Sequence, residues 1–195
     1  MEVKIKASHL KAAACFSGEG DLREYLNGVF VEVCVFEIRL TATNGHVIGV
    51  LRDKENAGDY PDMPAIIIPN YTVLTALSQK TPFYSLSFLE DKWSLNGIAF
   101  TPIPSKCYPD YRRGIPGRHS GVGAQFNLRL LARFDKAAKA LGIKSNPIIR
   151  HNGDGAAQVQ FDGFDAEFVG AIAPLRIFTR KEPDPGLVQW GSERV

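Results

Sequence analysis

The sequence predicts an α+β fold built from a repeated strand–helix–strands unit. The pattern occurs three times along the chain, with a period of roughly sixty residues, a length at which internal repeats are expected. Apolar residues alternate in the predicted strands and recur at helical spacing in the predicted helices. Asn-Gly and Asp-Gly dipeptides separate several strands, which is typical of antiparallel hairpins. Together these observations favour antiparallel sheets with packed helices.

The first unit covers residues 1–52. Residues 3–7 alternate as a strand, and Ser8 is expected to cap a helix running to about residue 16, with Leu10, Ala13 and Ala14 on one face. Strands over 37–43 and 46–51 are joined by the hairpin signal Asn44-Gly45. The strand before them is expected to place four valines on one face: Val29, Val31, Val33 and Val35.

The second unit covers residues 63–104. Residues 65–68 form a continuous apolar run, typical of a strand buried on both faces. A helix is predicted over 71–79, with Val73, Leu74 and Leu77 facing inward. Strands over 84–89 and 93–102 follow, with turn signals at 90–91 and 96–97.

The third unit, residues 124–178, opens with a short strand at 124–126. Asn127 is expected to cap a helix that Gly142 ends. Strands are predicted over 147–150, 157–161 and 167–177, with tight turns at 152–153 and 154–155. The helix carries an apolar stripe: Leu130, Phe134, Ala137, Ala138 and Leu141.

Three stretches are predicted to be looser than these units. Residues 53–64 and 114–123 connect them, and residues 179–195 are expected to be a flexible tail because Pro, Gly and charged residues are frequent there. Within the tail, Val188 and Trp190 are either exposed or part of a docking segment.

Composition narrows the function classes. Of the 195 residues, 45% are hydrophobic and 23% are charged, as in ordinary soluble domains. No apolar run reaches the roughly 20 residues that a membrane helix needs, and the N-terminus reads as a strand and not as a signal peptide. Three widely spaced cysteines, Cys15, Cys34 and Cys107, favour a reduced, cytoplasmic protein. The net charge of +2 does not by itself indicate nucleic-acid binding.

No catalytic constellation is found in the sequence. The histidines His9, His46, His119 and His151 are scattered and fit no metal-ligand spacing. Asp59, Asp62 and Asp110 lie in turns without a paired carboxylate. No glycine-rich phosphate loop follows a strand. We therefore expect a protein that is not an enzyme and has no metal or cofactor.

The most specific motif lies between the second and third units. Residues 108–113 read Tyr-Pro-Asp-Tyr-Arg-Arg, a connector too apolar and aromatic for a free linker. Pro109 restricts the residue before it to extended or turn geometry. We therefore expect this connector to pack between two units.

The same motif resembles the connector after the middle domain of bacterial sliding clamps, the β subunits of DNA polymerase III. Three further phrases of that family stand here in the same order: Tyr25-Leu26-Asn27-Gly28, Thr43-Asn44-Gly45-His46 and Pro174-Leu175-Arg176-Ile177. The resemblance implies the DNA-clamp fold, with curved antiparallel sheets and helices on one side. It also implies that residues 1–113 correspond to a complete domain and residues 124–178 to half of the last domain.

A clamp subunit has three domains of two units each. The first domain and half of the last domain are therefore expected to be absent here, including the regions that form the family's head-to-tail contact. This chain is accordingly not expected to close a ring in the family's usual way.

The resemblance also implies a pocket for a short peptide that carries a Gln and a pair of apolar anchors. The implied walls come from the middle domain, the connector and the last strand: Leu26, Thr43, Gly45, His46, Val47, Ile48, Pro109, Arg113, Ala171, Ala173, Pro174, Leu175 and Arg176. Val47 stands where clamps usually carry Arg, and Ala173 where Met is common. These differences leave the peptide preference open. A purely structural role is the alternative for some of these residues. His46 would then make a local contact in the turn, and Arg112 and Arg113 would form ion pairs within the connector.

A second candidate surface is basic. Arg129, Arg133 and Lys136 share one face of the third helix, with Lys139 adjacent, which is most often a solvated face. In clamps the helices line the channel around DNA, so phosphate contact is the alternative, with Lys11 and Tyr25 joining it.

These observations lead to two functional hypotheses. In the first, the chain is a clamp-like accessory protein of DNA replication, encoded by a phage or mobile element, that binds peptides of polymerases or repair proteins and also double-stranded DNA. In the second, it is a non-encircling decoy that competes with the host clamp for those peptides. A relative that has lost both roles is a third reading. A homo-oligomer, a dimer or tetramer assembled through residues 126–141, is expected because the third unit lacks its sister unit.

Overall fold

Residues 2–55, 63–164 and 166–176 are described by the structure, a computed structural model. Within them the helices are α1 (Ala7–Ala14), α2 (Asn70–Leu77), α3 (Tyr111–Gly114) and α4 (Leu128–Leu141). The strands of the first unit are β1 (Glu2–Lys6), β2 (Gly28–Cys34), β3 (Glu37–Thr43) and β4 (Val47–Asp53). Those of the second are β5 (Ile66–Pro69), β6 (Phe83–Leu89), β7 (Lys92–Leu95) and β8 (Ile98–Phe100). Those of the third are β9 (Ile148–Arg150), β10 (Ala157–Gln160) and β11 (Phe168–Ile172).

The first two units exchange their opening strands. The strand β1 pairs with β6 of the second unit, giving a four-stranded sheet in the order β1-β6-β7-β8. The strand β5 in turn pairs with β2 of the first unit. These pairings are antiparallel, and each of the two sheets contains strands from both units.

The third unit extends the other sheet. Its last strand, β11, pairs with β4, the last strand of the first unit, so that seven strands run in the order β5-β2-β3-β4-β11-β10-β9. On one face of this sheet α1 packs against α4. The predicted boundary between a complete domain and a separate half-domain is therefore crossed by a continuous sheet.

Aromatic residues join the units in one core. Phe16, just after α1, lies edge-on to Phe134 of α4 with ring centroids 4.9 Å apart, and both contact Phe168 of β11. Two glycines, Gly49 and Gly170, are directly opposite each other in the β4–β11 register and leave room for these rings. Each fully buried aromatic side chain contributes about 1.5–3 kcal/mol by removing apolar area from water, so the β4–β11 junction is a stabilised interface.

Most predicted elements are confirmed, including the caps of the third helix. Asn127 accepts a hydrogen bond from the Arg129 backbone N–H at 2.8 Å, and Gly142 ends α4 with φ +75°. The turns predicted at 90–91 and 96–97 have positive φ values at Glu90, Asp91, Asn96 and Gly97. The α+β class and the three-unit order are thus correct.

Several local predictions are wrong. Ser8 lies inside α1, whose N-cap is Lys6 without a side-chain hydrogen bond. Val35 lies beyond the end of β2 and is exposed, because the chain already turns there towards β3. Leu74 is 65% exposed, since α2 covers the sheet with a narrower stripe than expected. Residues 124–126 form no strand, and β11 ends at Ile172.

Some predictions concern residues that the structure does not describe. This applies to Ile177 at the end of the last predicted strand, to residues 178–195 with Val188 and Trp190, and to 56–62 of the first loose stretch.

Candidate functional site

The connector packs onto the seven-stranded sheet, as its composition predicts. The Tyr108 ring stacks on Phe30 of β2 with centroids 4.4 Å apart, and its hydroxyl donates to the Thr41 carbonyl at 3.1 Å. Burial raises the pKa of the Tyr108 hydroxyl. The Tyr111 hydroxyl donates to the Glu32 carboxylate at 2.6 Å, and burial together with that contact raises its pKa to about 12. The connector is therefore fixed to β2 and β3.

The two arginines of the connector have different surroundings. Arg112 pairs with Glu32 at 3.1 Å and lies over the Tyr111 ring, so it has the ion-pairing role expected of a connector residue. The Arg113 side chain is 88% exposed and pairs with Asp110 at 3.3 Å. Both residues belong to the short helix α3.

A small cavity lies where the connector approaches the β4–β11 junction. Its volume is about 180 Å³, and we call it the junction pocket. The lining consists of Gly45, His46, Val47, Ile48, Gly114, Ala156, Ala171, Ile172 and Ala173. These residues come from the β3–β4 turn, β4, the end of α3, the residue before β10, and β11 with the residue that follows it. One site is thus assembled from the first unit, the connector and the third unit.

Strand alternation explains which side chains the pocket receives. Gly49 faces Phe16 in the core, so Ile48, one residue earlier, faces the opposite surface of the sheet. Ala171 pairs with Ile48 across the β4–β11 junction, and the Ala173 backbone N–H donates to the His46 carbonyl at 2.8 Å. The floor of the pocket is therefore aliphatic and the His46 side chain is exposed beside it.

The β3–β4 turn is held by side-chain hydrogen bonds. The Thr43 hydroxyl donates to the Val47 carbonyl at 2.7 Å and accepts from the Gly45 N–H at 3.0 Å. Asn44 Oδ1 accepts from the N–H groups of His46 and Val47 at 3.0 Å each. This network fixes the backbone that positions His46, which favours a preformed pocket.

Six of the thirteen predicted wall residues line this cavity: Gly45, His46, Val47, Ile48, Ala171 and Ala173. The Val47 side chain belongs to the core, so its contribution comes from the backbone. Leu26 and Thr43 are buried and do not line the cavity.

The remaining predicted residues lie outside this lining on the surface. Pro109 and Arg113 are exposed on the connector, and Pro174, Leu175 and Arg176 follow the end of β11. Leu175 is 46% exposed, and its N–H donates to the Gln125 carbonyl at 2.7 Å. The residues after β11 therefore form a partly apolar rim.

Sequence reasoning missed Gly114, Ala156, Ile172 and Arg23. Gly114 directly follows the connector motif, and a Cβ there would lie 2.6 Å from Ile48 Cδ1, so a side chain would enter the pocket. The Arg23 guanidinium lies against Gly45, where an added Cβ would be 3.1 Å from its Nη2 atom. Hydrogen bonds from Arg23 hold the Asp21 carboxyl pKa at about 2, so this ion pair persists beside the turn.

The residues of the predicted basic face have different environments in the structure. Lys11 of α1 and Arg129 and Lys136 of α4 are exposed around a groove of about 640 Å³ between α1, α2 and α4. Lys139 pairs with Asp135 at 2.7 Å. Tyr25 is half-buried in a 3-10 turn (Glu24–Leu26) outside the lining of this groove.

Arg133 forms hydrogen bonds and an ion pair within the chain. Its Nη1 atom donates to the carbonyls of Cys15 and Ser17 at 2.8 and 2.9 Å, and its Nη2 atom is 3.6 Å from Glu19. These carbonyls follow the end of α1, where helix carbonyls lack intrahelical partners. The guanidinium thus connects α4 to α1.

Among the described residues, no helix is long and apolar enough to cross a membrane. Within the same ranges, no group of three or more His, Cys, Asp or Glu side chains is arranged to hold a metal ion.

Comparison with solved structures assigns the fold. The chain has the fold of the DNA polymerase III β subunit, the bacterial sliding clamp. The β subunit from Pseudomonas aeruginosa matches with a TM-score of 0.67 at 15% identity, covering 91% of this chain and 67% of that one. The clamp from Bartonella birtlesii bound to griselimycin gives 0.65 at 19% identity, with coverages of 90% and 66%.

The β subunit from Thermotoga maritima gives a TM-score of 0.67 at 12% identity, with coverages of 91% and 66%. The chain therefore spans about two thirds of the length of these clamps. No protein-family profile and no curated protein matches the sequence.

Proposed function

We propose that the chain is a clamp-like accessory protein of DNA replication that binds short linear peptides at the junction pocket. The observation that carries the proposal is the convergence of three separate segments on one aliphatic cavity. The β3–β4 turn, the end of the connector and β11 are distant in sequence, yet all three line it. Binding itself, without catalysis, is the proposed activity.

The pocket has the features of a peptide-anchor site. Ile48, Ala171 and Ala173 offer apolar surface, and burial of one apolar peptide side chain there contributes about 1.5–3 kcal/mol. His46 is exposed beside the cavity and supplies a polar group that can orient the peptide. A volume of about 180 Å³ fits one anchor side chain, so we propose that the second anchor lies on the rim at Pro174 and Leu175.

Fluorescence anisotropy with a labelled peptide tests this function. A peptide carrying a Gln and two apolar anchors is expected to bind with a Kd in the range of about 1–100 µM, a binding free energy weaker than about −8 kcal/mol. Ile48→Asp and Leu175→Glu should each weaken binding at least about tenfold, or ~1.4 kcal/mol. Leu89→Glu is the control, because Leu89 is exposed on the four-stranded sheet. Absence of binding at about 100 µM wild-type protein would overturn the proposal.

A second candidate function is contact with double-stranded DNA through α1 and α4. It is favoured by the exposed cations Lys11, Arg129 and Lys136 around one groove. Arg133 is not included, because its guanidinium is engaged with α1.

The salt dependence of DNA binding tests this candidate. Each phosphate contact contributes about 0.9 to the slope of log K against log salt. Replacing Lys11, Arg129 and Lys136 by Ala should reduce that slope by about two to three, whereas replacing the exposed Lys54 and Lys92 should leave it unchanged. Peptide binding without any salt-dependent DNA affinity would instead favour the non-encircling decoy.

A further inference from the structure

The β4–β11 junction joins two units in a nearly two-fold manner. The last strand of the first unit pairs antiparallel with the last strand of the third unit, and the helices α1 and α4 of the same two units pack together. Gly49 lies opposite Gly170, and Phe16 meets Phe134. The last strand and the helix of one unit are thus complementary to those of another.

The second unit has the same elements, but within the described residues they are covered on one side only: α2 packs against α1, and β8 pairs with β7 alone. Its last strand, β8, is the outermost strand of the four-stranded sheet within the described part of the chain. Its helix, α2, exposes Tyr71 by 61% and Leu74 by 65%. Ala12 and Thr75 occupy the same position, the sixth of eight, in α1 and α2. Ala12 is fully buried, whereas Thr75 is exposed.

We propose that this surface, formed by α2 and β8, binds the same surface of a second copy of the chain. Antiparallel pairing of β8 with itself about Ala99, with α2 against α2, repeats the last-strand-to-last-strand geometry of the β4–β11 junction. A two-fold contact brings each residue near its own copy, so like charges at its centre are unfavourable. Neither α2 nor β8 contains a charged residue.

An open groove marks the place of the second copy. It has a volume of about 420 Å³ and lies between the start of α2 and the β7–β8 edge. Its lining combines the uncharged residues Tyr71, Trp93, Ala99, Phe100, Thr101 and Pro102 with one acidic and one basic residue at the β6–β7 turn, Asp91 and Lys92. An uncovered strand edge beside exposed aromatic and aliphatic side chains is a surface prone to pairing. Thr101 and Pro102 follow β8, so the paired segment is short and the association is expected to be reversible.

The third unit offers a poorer surface for the same contact. Its helix α4 is already covered by α1, and β11 is already paired with β4, which removes the reason for a dimer through residues 126–141. The free strand at that end is β9, which ends in Arg150, and α4 carries Arg129, Lys136 and Lys139. A two-fold contact there would bring like charges together.

This inference does not depend on the proposed function. None of the residues that line the junction pocket belongs to α2 or β8, so peptide binding and self-association are separable.

Light scattering across a concentration series tests the contact. The mass should rise from 21.5 kDa at about 1 µM towards twice that value at about 500 µM. Thr75→Glu, which places two carboxylates at the α2 position that corresponds to the covered Ala12 of α1, should keep the mass at 21.5 kDa throughout. Leu89→Glu should behave as wild type, because Leu89 is exposed and lies outside the surface. A wild-type mass that stays at 21.5 kDa would overturn the proposal.

Cysteine cross-linking locates the contact independently. In a background with Cys15, Cys34 and Cys107 replaced by Ser, Ala99→Cys should form a disulfide dimer, since paired antiparallel residues have Cα atoms about 4.5–5.5 Å apart. Ile148→Cys in the exposed strand β9 should stay monomeric under the same oxidation. Cross-linking at 148 and not at 99 would assign the contact to the third unit and overturn the proposal.

Discussion

Two glycines set the closest approach between the helices and the seven-stranded sheet. A Cβ at Gly49 would lie 2.2 Å from the Phe16 ring, and one at Gly170 would lie 2.6 Å from the Phe134 ring. Real Cβ atoms do not approach a ring so closely, so a side chain at either position requires the aromatic rings and their helices to move. The two residues are opposite each other across β4 and β11, so the whole junction depends on them.

We predict that Gly49→Ala lowers the free energy of unfolding by about 1–3 kcal/mol, the usual cost of overpacking a core. Denaturant unfolding followed by circular dichroism measures the change. Gly117→Ala is the matched control, because an added Cβ there meets nothing within 4 Å. Equal stability of the two variants would show that the Phe16 ring adjusts without cost.

His9 connects α1 to the residues just before β11. It is 2% exposed, and its Nε2 atom is 3.2 Å from the Glu167 carboxylate. Its Nδ1 atom is buried without a hydrogen-bond partner among the described residues. Burial lowers the His9 pKa below 6.5, opposed by the carboxylates of Asp53 and Glu167. A neutral imidazole fits this geometry, because a buried lone pair without a donor costs less than a buried charged N–H without an acceptor.

The lowered pKa of His9 makes stability depend on pH. Below pH 6.5 the unfolded state binds a proton that the folded state binds only at lower pH, so the free energy of unfolding falls as the pH drops below 6.5. We predict that His9→Gln flattens this part of the profile, measured as Tm against pH. His119→Gln is the control, since His119 is exposed. An unchanged slope in His9→Gln would mean that other groups cause the loss of stability.

Sequence patterns predict residues whose role is local. Asn127 and Gly142 act on the helix they flank, so their identities alone place both ends of α4. The roles of Gly49, His9 and Arg23 depend on groups from other elements, namely the Phe16 ring, Glu167 and the β3–β4 turn. No spacing in the sequence contains those contacts, and for this reason they were not predicted.

At the scale of elements, α4 is joined to α1 by a polar contact as well as by the aromatic core. Arg133 donates to the Cys15 and Ser17 carbonyls, which otherwise have no helical partner. Because the guanidinium is mostly buried, its hydrogen bonds are weakly screened and contribute more than exposed ion pairs do.

We predict that Arg133→Met destabilises the protein by about 1.5–3 kcal/mol, the range for hydrogen bonds to a charged group. Met keeps much of the side-chain length, so the loss reports on the guanidinium. Arg129→Met, at an exposed position of the same helix, should change stability by less than about 0.5 kcal/mol. Thermal unfolding of both variants measures the two changes in stability. Equal effects would mean that Arg133 belongs to a solvated basic face, the alternative that the sequence pattern allowed.

The order of the elements was predictable, but the faces of the short ones were not. Periodicity placed Leu74 of α2 inward, yet this helix lacks the partner that α1 has in α4. Val35 fits the alternating pattern of β2, but the strand ends at Cys34 and the chain turns there. Likewise, six of the predicted pocket residues line one cavity, whereas Leu26 and Thr43 are buried and do not line it. The spacing of apolar residues predicts the type of an element. Which of its side chains are buried depends on the elements that pack against it.

At the scale of the whole molecule, the third unit shares both the sheet and the core of the first. The β4–β11 register pairs five residues on each strand, and Phe16, Phe134 and Phe168 form one aromatic cluster across the junction. The sequence predicted a boundary between residues 113 and 124 because the third repeat begins at 124 and resembles half of a separate clamp domain. Strand pairing between distant units leaves no local signal, so the continuity of the sheet was not predictable.

We therefore predict that the protein unfolds in one cooperative transition, although it contains three units and a long connector. Because unfolding of the third unit alone would expose the Phe16 cluster and the edge of β4, that partial state is disfavoured. In calorimetry the measured enthalpy should equal the van't Hoff enthalpy. Phe134→Ala, expected to cost about 3–5 kcal/mol, should shift the whole transition. Ile103→Ala is a control outside the β4–β11 junction, since Ile103 pairs with Ile67 beside β2. Two resolved transitions, with Phe134→Ala moving only the smaller one, would instead make the third unit an independent half-domain.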